Sequence, residues 1–133
     1  VICVDSSVWI GLLRNENTGP VSMLKHLVQT RDDQVLVGDL VLLEVLQGAR
    51  DMSHADRIER NLRMYRSASM LGEALAIRAA AHYRHLRSRG ITIRKTVDLI
   101  IGSFCVAHDH LLLHDDRDFE PMAEHLGLRI LPP

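Results

Sequence analysis

Four short apolar runs alternate with helix-length segments along the chain: "VICV" at 1–4, "QVLVG" at 34–38, "LLL" at 111–113 and "LRIL" at 128–131. Runs this short, bounded by polar or turn residues, read as buried strands. Strands alternating with helices favour a parallel sheet covered on both faces. In open sheets of that kind, ligands sit beyond the carboxyl ends of the strands. Two of the runs lead straight into carboxylates. Asp5 closes the first, and Asp115, Asp116 and Asp118 crowd behind the third. The alternation therefore puts both acidic clusters on one rim.

The segments between the runs carry helix signals. "SSVWIGLLR" has apolar residues at helical spacing, with Ser6 or Ser7 available as a cap. "PVSMLKHLVQT" opens with Pro20 near its first turn. "DLVLLEVLQGAR" is expected to be capped by Asp39 and to end near Gly48, and "SHADRIERNLRMY" to begin at Ser53. "GEALAIRAAAHYRHLRSRG" is the clearest helix, stopped by Gly90. "TVDLIIGSFCVAHDH" is apolar and of helix length, and "RDFEPMAEHLG" reads as a short helix interrupted near Pro121. There is no repeat, low-complexity tract or linker, so one domain over 1–133 is expected.

Composition narrows the class. Apolar residues make up 47% and charged residues 25%, an ordinary balance for a soluble domain. No apolar stretch reaches the roughly 18 residues of a membrane span. "VICV" runs into Asp5 too soon to be a secretion signal, and the absence of an initiating Met suggests that the natural start lies slightly upstream. Cys3 and Cys105 lie in apolar surroundings without metal-binding spacing, which suits two buried thiols in a cytoplasmic protein. The net charge of −1 makes no general polyanion binder. Yet of 16 basic residues only Lys25 and Lys95 are lysine, and guanidinium grips phosphate with a planar fork.

Two more acids stand against apolar neighbours: Glu44 inside "LVLLEVL" and Asp98 inside "TVDLIIG". Burying a lone carboxylate as an ion is costly. Asp98 on its own fits a helix-start acid near the positive dipole end. Two such acids beside two strand-end acids ask for more. Like charges about 4 Å apart repel by about 4 kcal/mol at an effective dielectric near 20, so four converging carboxylates need protons or cations. Oxygen-only ligands select hard ions, chiefly Mg²⁺ or Mn²⁺, which activate water and steady charge on phosphate.

These blocks, "VICVDSSVWI", "LVLLEVL", "VDLIIG" and "LLHDDRDF", resemble in order and spacing the four acidic blocks of PIN-domain ribonucleases, and most of all the VapC toxins of bacterial toxin–antitoxin pairs. The resemblance covers essentially the whole chain. It implies a three-layer α/β/α sandwich on a roughly five-stranded parallel sheet, and Mg²⁺- or Mn²⁺-dependent endonucleolytic cleavage of RNA. It implies that Asp5, Asp98 and Asp116 hold metal, that Glu44 holds a second ion or orients the nucleophilic water, and that Asp118 is an additional acidic position. His114 departs from the Thr or Ser usual in the family. It could donate to a phosphate, protonate a leaving oxygen, or have no role. Asp115 is expected to face solvent. The resemblance also implies a homodimer silenced by a VapB-type antitoxin. A subset of Trp9, Leu12, Leu13, Met23, Leu27, Leu42, Leu43 and Leu46 would be left exposed to receive that partner.

Other groups carry less. Ser6 and Ser7 lack a nucleophile-elbow context and are expected to cap or to bond Asp5. His82 and His85 read as a solvated helix face, and His108, Asp109 and His110 as a polar turn. Arg84, Arg87, Arg89 and Arg94, with Lys95, cluster before Asp98 and could hold RNA phosphates, or simply form a solvated helix end. Sparse aromatics argue against a stacking platform for bases. An aspartyl phosphotransferase would want an acid at position 7, where Ser7 stands, and a receiver-type domain would want a lysine after Lys95. The remaining alternative is a catalytically inactive PIN-like module that binds RNA or protein.

Overall fold

The computed structural model describes residues 1–132, so the expected domain end at Pro133 lies outside the described residues. Five parallel strands form one sheet: β1 (Ile2–Val4), β2 (Val35–Gly38), β3 (Arg66–Ala68), β4 (Leu111–Leu113) and β5 (Arg129–Ile130), in the order β3-β2-β1-β4-β5. Every residue of β1 and β2 is buried, as expected of central parallel strands covered on both faces. β4 lies beside β1 with Val4 opposite Leu113, and the Asp5 amide extends the ladder to the Leu113 carbonyl at 2.9 Å.

Seven helices flank the sheet: α1 (Ser6–Leu13), α2 (Gly19–Thr30), α3 (Asp39–Gln47), α4 (Met52–Leu62), α5 (Glu73–Ser88), α6 (Thr96–His108) and α7 (Glu120–Leu126). From β1 the chain steps outward to β2 and β3 through α1–α4. It then returns across the sheet through α5 and α6 to β4 and steps the other way to β5 through α7. Right-handed crossovers put helices made on the outward and return journeys on opposite faces, which gives the three-layer α/β/α sandwich. The order reverses between β1 and β4. In such sheets a crevice opens at the carboxyl ends of the two strands flanking the reversal.

Several local expectations need correction. The edge strand β3 was not legible: "RSA" is polar and half-exposed or exposed, without an apolar run. Asp5, not Ser6 or Ser7, caps α1, because strand β1 delivers it in extended conformation with its carboxylate over the Ser7 amide at 3.1 Å. Asp39 is the first residue of α3 rather than its cap. Its Oδ1 accepts from the Leu40 amide and from the Met70 amide at 3.0 Å, tying the segment after β3 to the rim. Gly38 caps α3 instead, and a Cβ there would lie 2.1 Å from Met70 Sδ, so the close approach of Met70 requires glycine. Asp51, whose side chain accepts from the His54 amide at 2.8 Å, starts α4 ahead of Ser53. Pro121 does not interrupt a helix. A 3-10 turn at Arg117–Phe119 leads into α7, and proline sits in the first turn, where its missing N–H costs nothing.

The core is continuous through the sheet, with Leu24, Leu86, Ile101, Leu112, Leu113, Phe119 and Met122 among its fully buried side chains. Cys3 and Cys105 are both free and buried within it. Among the described residues no helix is long and apolar enough to cross a membrane.

Candidate metal centre

The crevice at the strand reversal gathers carboxylates from four elements. Asp5 arrives at the end of β1 and is 2% exposed. One of its oxygens, Oδ2, accepts from the Ser7 amide and from Ser7 Oγ at 2.6 Å, while Oδ1 is buried with no hydrogen-bond partner. Glu44 comes from the second turn of α3 and is half-buried. Ser6 Oγ donates to its Oε1 at 2.8 Å and fixes its reach toward Asp5. Asp98 sits in the first turn of α6, 3% exposed, with a buried and unpartnered Oδ2. Carboxylate oxygens of Asp5, Glu44 and Asp98 all lie within 4.8 Å of one another.

A second group shares Asp98. Oxygens of Asp98, Asp116 and Asp118 also fall within 4.8 Å of one another. Asp116 follows β4 and is held by the Asp118 amide, which donates to its Oδ1 at 3.0 Å. The Asp116 amide in turn donates to Nδ1 of His114 at 3.0 Å, and the His114 ring rests 5.1 Å from the buried Phe119 ring. Lys95 Nζ donates to Asp116 Oδ2 at 2.9 Å and stands 3.8 Å from Asp98 Oδ2.

The electrostatics follow from this crowding. Burial first, then the charges of Asp5 and Asp116, push Asp98 up to about 7, although Lys95 pulls the other way. Burial also raises Asp5, against the lowering effect of its Ser7 hydrogen bonds. Asp116 is less enclosed. Its modest burial is outweighed by the Asp118 amide and the Lys95 ammonium, so it falls below the ordinary carboxylate range. Burial lowers His114 despite the surrounding acids. With Nδ1 accepting from the Asp116 amide, His114 is a neutral brace for the acidic loop, which narrows the role its sequence position left open.

These residues fit a hard divalent cation. The donors are oxygens only, which suits Mg²⁺ or Mn²⁺. Asp5 Oδ1 and Asp98 Oδ2 are buried without hydrogen-bond partners, Lys95 coming no nearer to Asp98 Oδ2 than 3.8 Å, and both residues belong to the triad whose oxygens lie within 4.8 Å of one another. A buried acceptor without a donor is strongly disfavoured unless something cationic or protic meets it.

The other candidates separate from this centre. Asp115 is exposed as expected, with only its backbone amide bonded, to Ser7 Oγ at 3.0 Å. His82 is not part of a solvated pair. It is half-buried, its Nδ1 lies 2.9 Å from Oγ of the buried Ser103, and burial lowers its pKa; only His85 is exposed. Arg84, Arg87, Arg89 and Arg94 are all exposed. Sequence reasoning placed Lys95 with the phosphate-binding arginines and missed its pairing with Asp116. The available signal was its spacing, three residues before Asp98 at a helix start.

Fold and site together define an α/β domain with an acidic centre at its strand reversal, and residues 2–125 match the family model described as the PIN domain: the chain belongs to the PIN-domain family. Its relatives carry more specific names. Ribonuclease VapC11 of Mycobacterium tuberculosis is 26% identical over 130 residues, covering 97% of this chain and 96% of that one. Among solved structures, FitAcB from Neisseria gonorrhoeae superposes with a TM-score of 0.77 at 16% identity, covering 100% of this chain and 98% of that one. Mycobacterium tuberculosis VapC20, described as a sarcin-ricin loop cleaving toxin, superposes with a TM-score of 0.70 at 19% identity over 100% of both chains.

Proposed function

We propose that the chain is a Mg²⁺- or Mn²⁺-dependent endoribonuclease and the toxin half of a type II toxin–antitoxin pair, with 1–133 as one nuclease domain. The observation that carries this is the meeting of Asp5, Glu44 and Asp98 at the strand reversal, with two buried oxygens lacking partners. The ribonuclease relative, similar along nearly its whole length, supports RNA as the substrate. Asp5 and Asp98 would hold the cation with Glu44 beside them, while Asp116, also expected as a ligand, and Asp118 stand on its Lys95 side. When bound, such a cation lowers the pKa of water and steadies charge on a phosphate oxygen. The Ser6 hydrogen bond to Glu44 supports a role for Glu44 in orienting the water that attacks phosphorus. As that water attacks, it would give up a proton to solvent, the P–O bond on the far side would break, and the leaving oxygen would take a proton from solvent. Exposed Arg94, next to Lys95, and the arginines ending α5 supply cations for the RNA backbone.

The partner in this reading is a VapB-type antitoxin, and the toxin forms a homodimer in the cytoplasm. Trp9 and Leu27 are core, Leu12, Met23, Leu42 and Leu46 are half-buried, and Leu13 and Leu43 are 45% and 50% exposed. A groove of about 330 Å³, lined by Trp9, Leu12, Leu13, Ile58, Leu62 and Met64, runs between α1, α3 and α4. Apolar lining of this kind suits the apolar face of a partner helix.

The test is incubation of RNA with the chain, with and without Mg²⁺ or Mn²⁺. Cleavage is expected only with the ion, and Asp5→Asn should lower it by at least about 100-fold, since even indirect supports of a metal ligand cost roughly 10- to 100-fold. Cleavage in chelator, or an unaffected variant, would defeat the proposal. Retained RNA binding without any cut would establish the inactive binding module instead.

A further inference from the structure

The two carboxylate triads are not equivalent, and the difference is Lys95. Both contain Asp98. In the Asp5, Glu44 and Asp98 triad, Asp5 Oδ1 is buried with no hydrogen-bond partner, and the shared Asp98 Oδ2 has none either, with Lys95 Nζ no nearer than 3.8 Å. The Asp98, Asp116 and Asp118 triad already has an ammonium, 2.9 Å from Asp116 Oδ2 and 3.8 Å from Asp98 Oδ2. We propose that Lys95 is a built-in cation at the second seat, so that the chain binds one divalent ion and uses the lysine ammonium where a two-metal nuclease would place another ion. This rests on the proposed metal-dependent activity and specifies its ion count.

The chemistry of the group fits the task. In two-metal phosphoryl chemistry the ions form a clamp on the attacking and leaving oxygens. An ammonium can provide one positive charge of that clamp without a coordination shell. Lys95 has three N–H donors, and Asp116 takes one at hydrogen-bond distance. Its side chain is 58% exposed, while Asp98 below it is 5% exposed. The remaining donors can therefore reach a phosphate arriving from solvent, and the lysine closes the outer seat without being buried itself. A short ammonium contact on Asp116 and a divalent ion between the same oxygens are mutually exclusive on charge and space.

Calorimetric titration of metal-free chain with Mn²⁺ tests this, with Lys95→Met and Lys95→Arg beside the parent. The expected stoichiometry is one ion for the parent, two for Lys95→Met, and one for Lys95→Arg, which keeps the charge. Two ions in the parent would overturn the lysine's role while leaving metal-dependent cleavage intact. One ion in Lys95→Met would overturn it too, reducing Lys95 to a surface ion pair. No Mn²⁺ binding by the parent would end both this inference and the proposed activity. The parent titration decides by itself if Lys95→Met does not fold.

Discussion

Asp98→Asn is expected to abolish RNA cleavage and, in metal-free buffer at neutral pH, to make the chain more stable. Asp98 is the one carboxylate common to both triads, so its loss should cost more than about 100-fold in rate, beyond what indirect ligand supports cost. The gain in stability has the same origin. Burial, Asp5 and Asp116 lift Asp98 from the ordinary carboxyl value of 3.8 to about 7. A carboxyl raised in the folded state binds more protons folded than unfolded, so its favourable contribution is complete below about pH 4 and is lost as pH rises toward 7. The lift sets an upper limit of about 4 kcal/mol for that loss, at about 1.4 kcal/mol per pKa unit. Asparagine stays neutral and removes this part of the slope. Thermal melts with chelator from pH 4 to 7.5 should show the parent declining and the variant flatter and higher at pH 7. A variant less stable than the parent at pH 7, or cleaving within tenfold of it, would contradict the assignment.

Phe119→Ala is expected to cost the most stability of any single change near the site. Phe119 is fully buried and closes the 3-10 turn that carries Asp118 and follows Asp116. Its ring also lies against His114, whose Nδ1 receives the Asp116 amide. Truncating a buried phenylalanine costs about 3–5 kcal/mol through lost transfer energy and the cavity left behind. In a domain of this size that lowers the melting temperature by roughly 10–20 °C. The acidic loop loses its anchor at the same time, so Mn²⁺ affinity should fall although no ligand atom is removed. A melt within about 3 °C of the parent, with unchanged Mn²⁺ affinity, would show that the loop is held by other contacts.

Much of this arrangement was legible because the strongest local signals agree with the fold. "VICV" and "LLL" are buried strands side by side, and the acids after them share a rim because parallel pairing sets Val4 opposite Leu113. Glu44 and Asp98 stood out because each breaks an apolar helix, and α3 and α6 do bring them together. What stayed illegible lacked a local pattern. β3 is held by pairing with β2 alone, Leu36 opposite Arg66, and no periodicity marks "RSA". The caps at Asp5 and Gly38 depend on what stands opposite in space, the Leu113 carbonyl and Met70. His82 reads as surface until Ser103 is placed beside it. Lys95 reads as one more basic residue of an arginine-rich stretch until β4 delivers Asp116 to it.

The central claim is that Asp5, Glu44 and Asp98, drawn from three separate segments, form one seat for a divalent cation. Crystals of the chain grown with Mn²⁺ test it most directly, through anomalous scattering at the manganese edge. The expected result is a peak among the carboxylates of Asp5, Glu44 and Asp98, absent from crystals of Asp98→Asn. Mn²⁺ bound only elsewhere, for instance at His108 and His110, or no peak at saturating Mn²⁺, would contradict it.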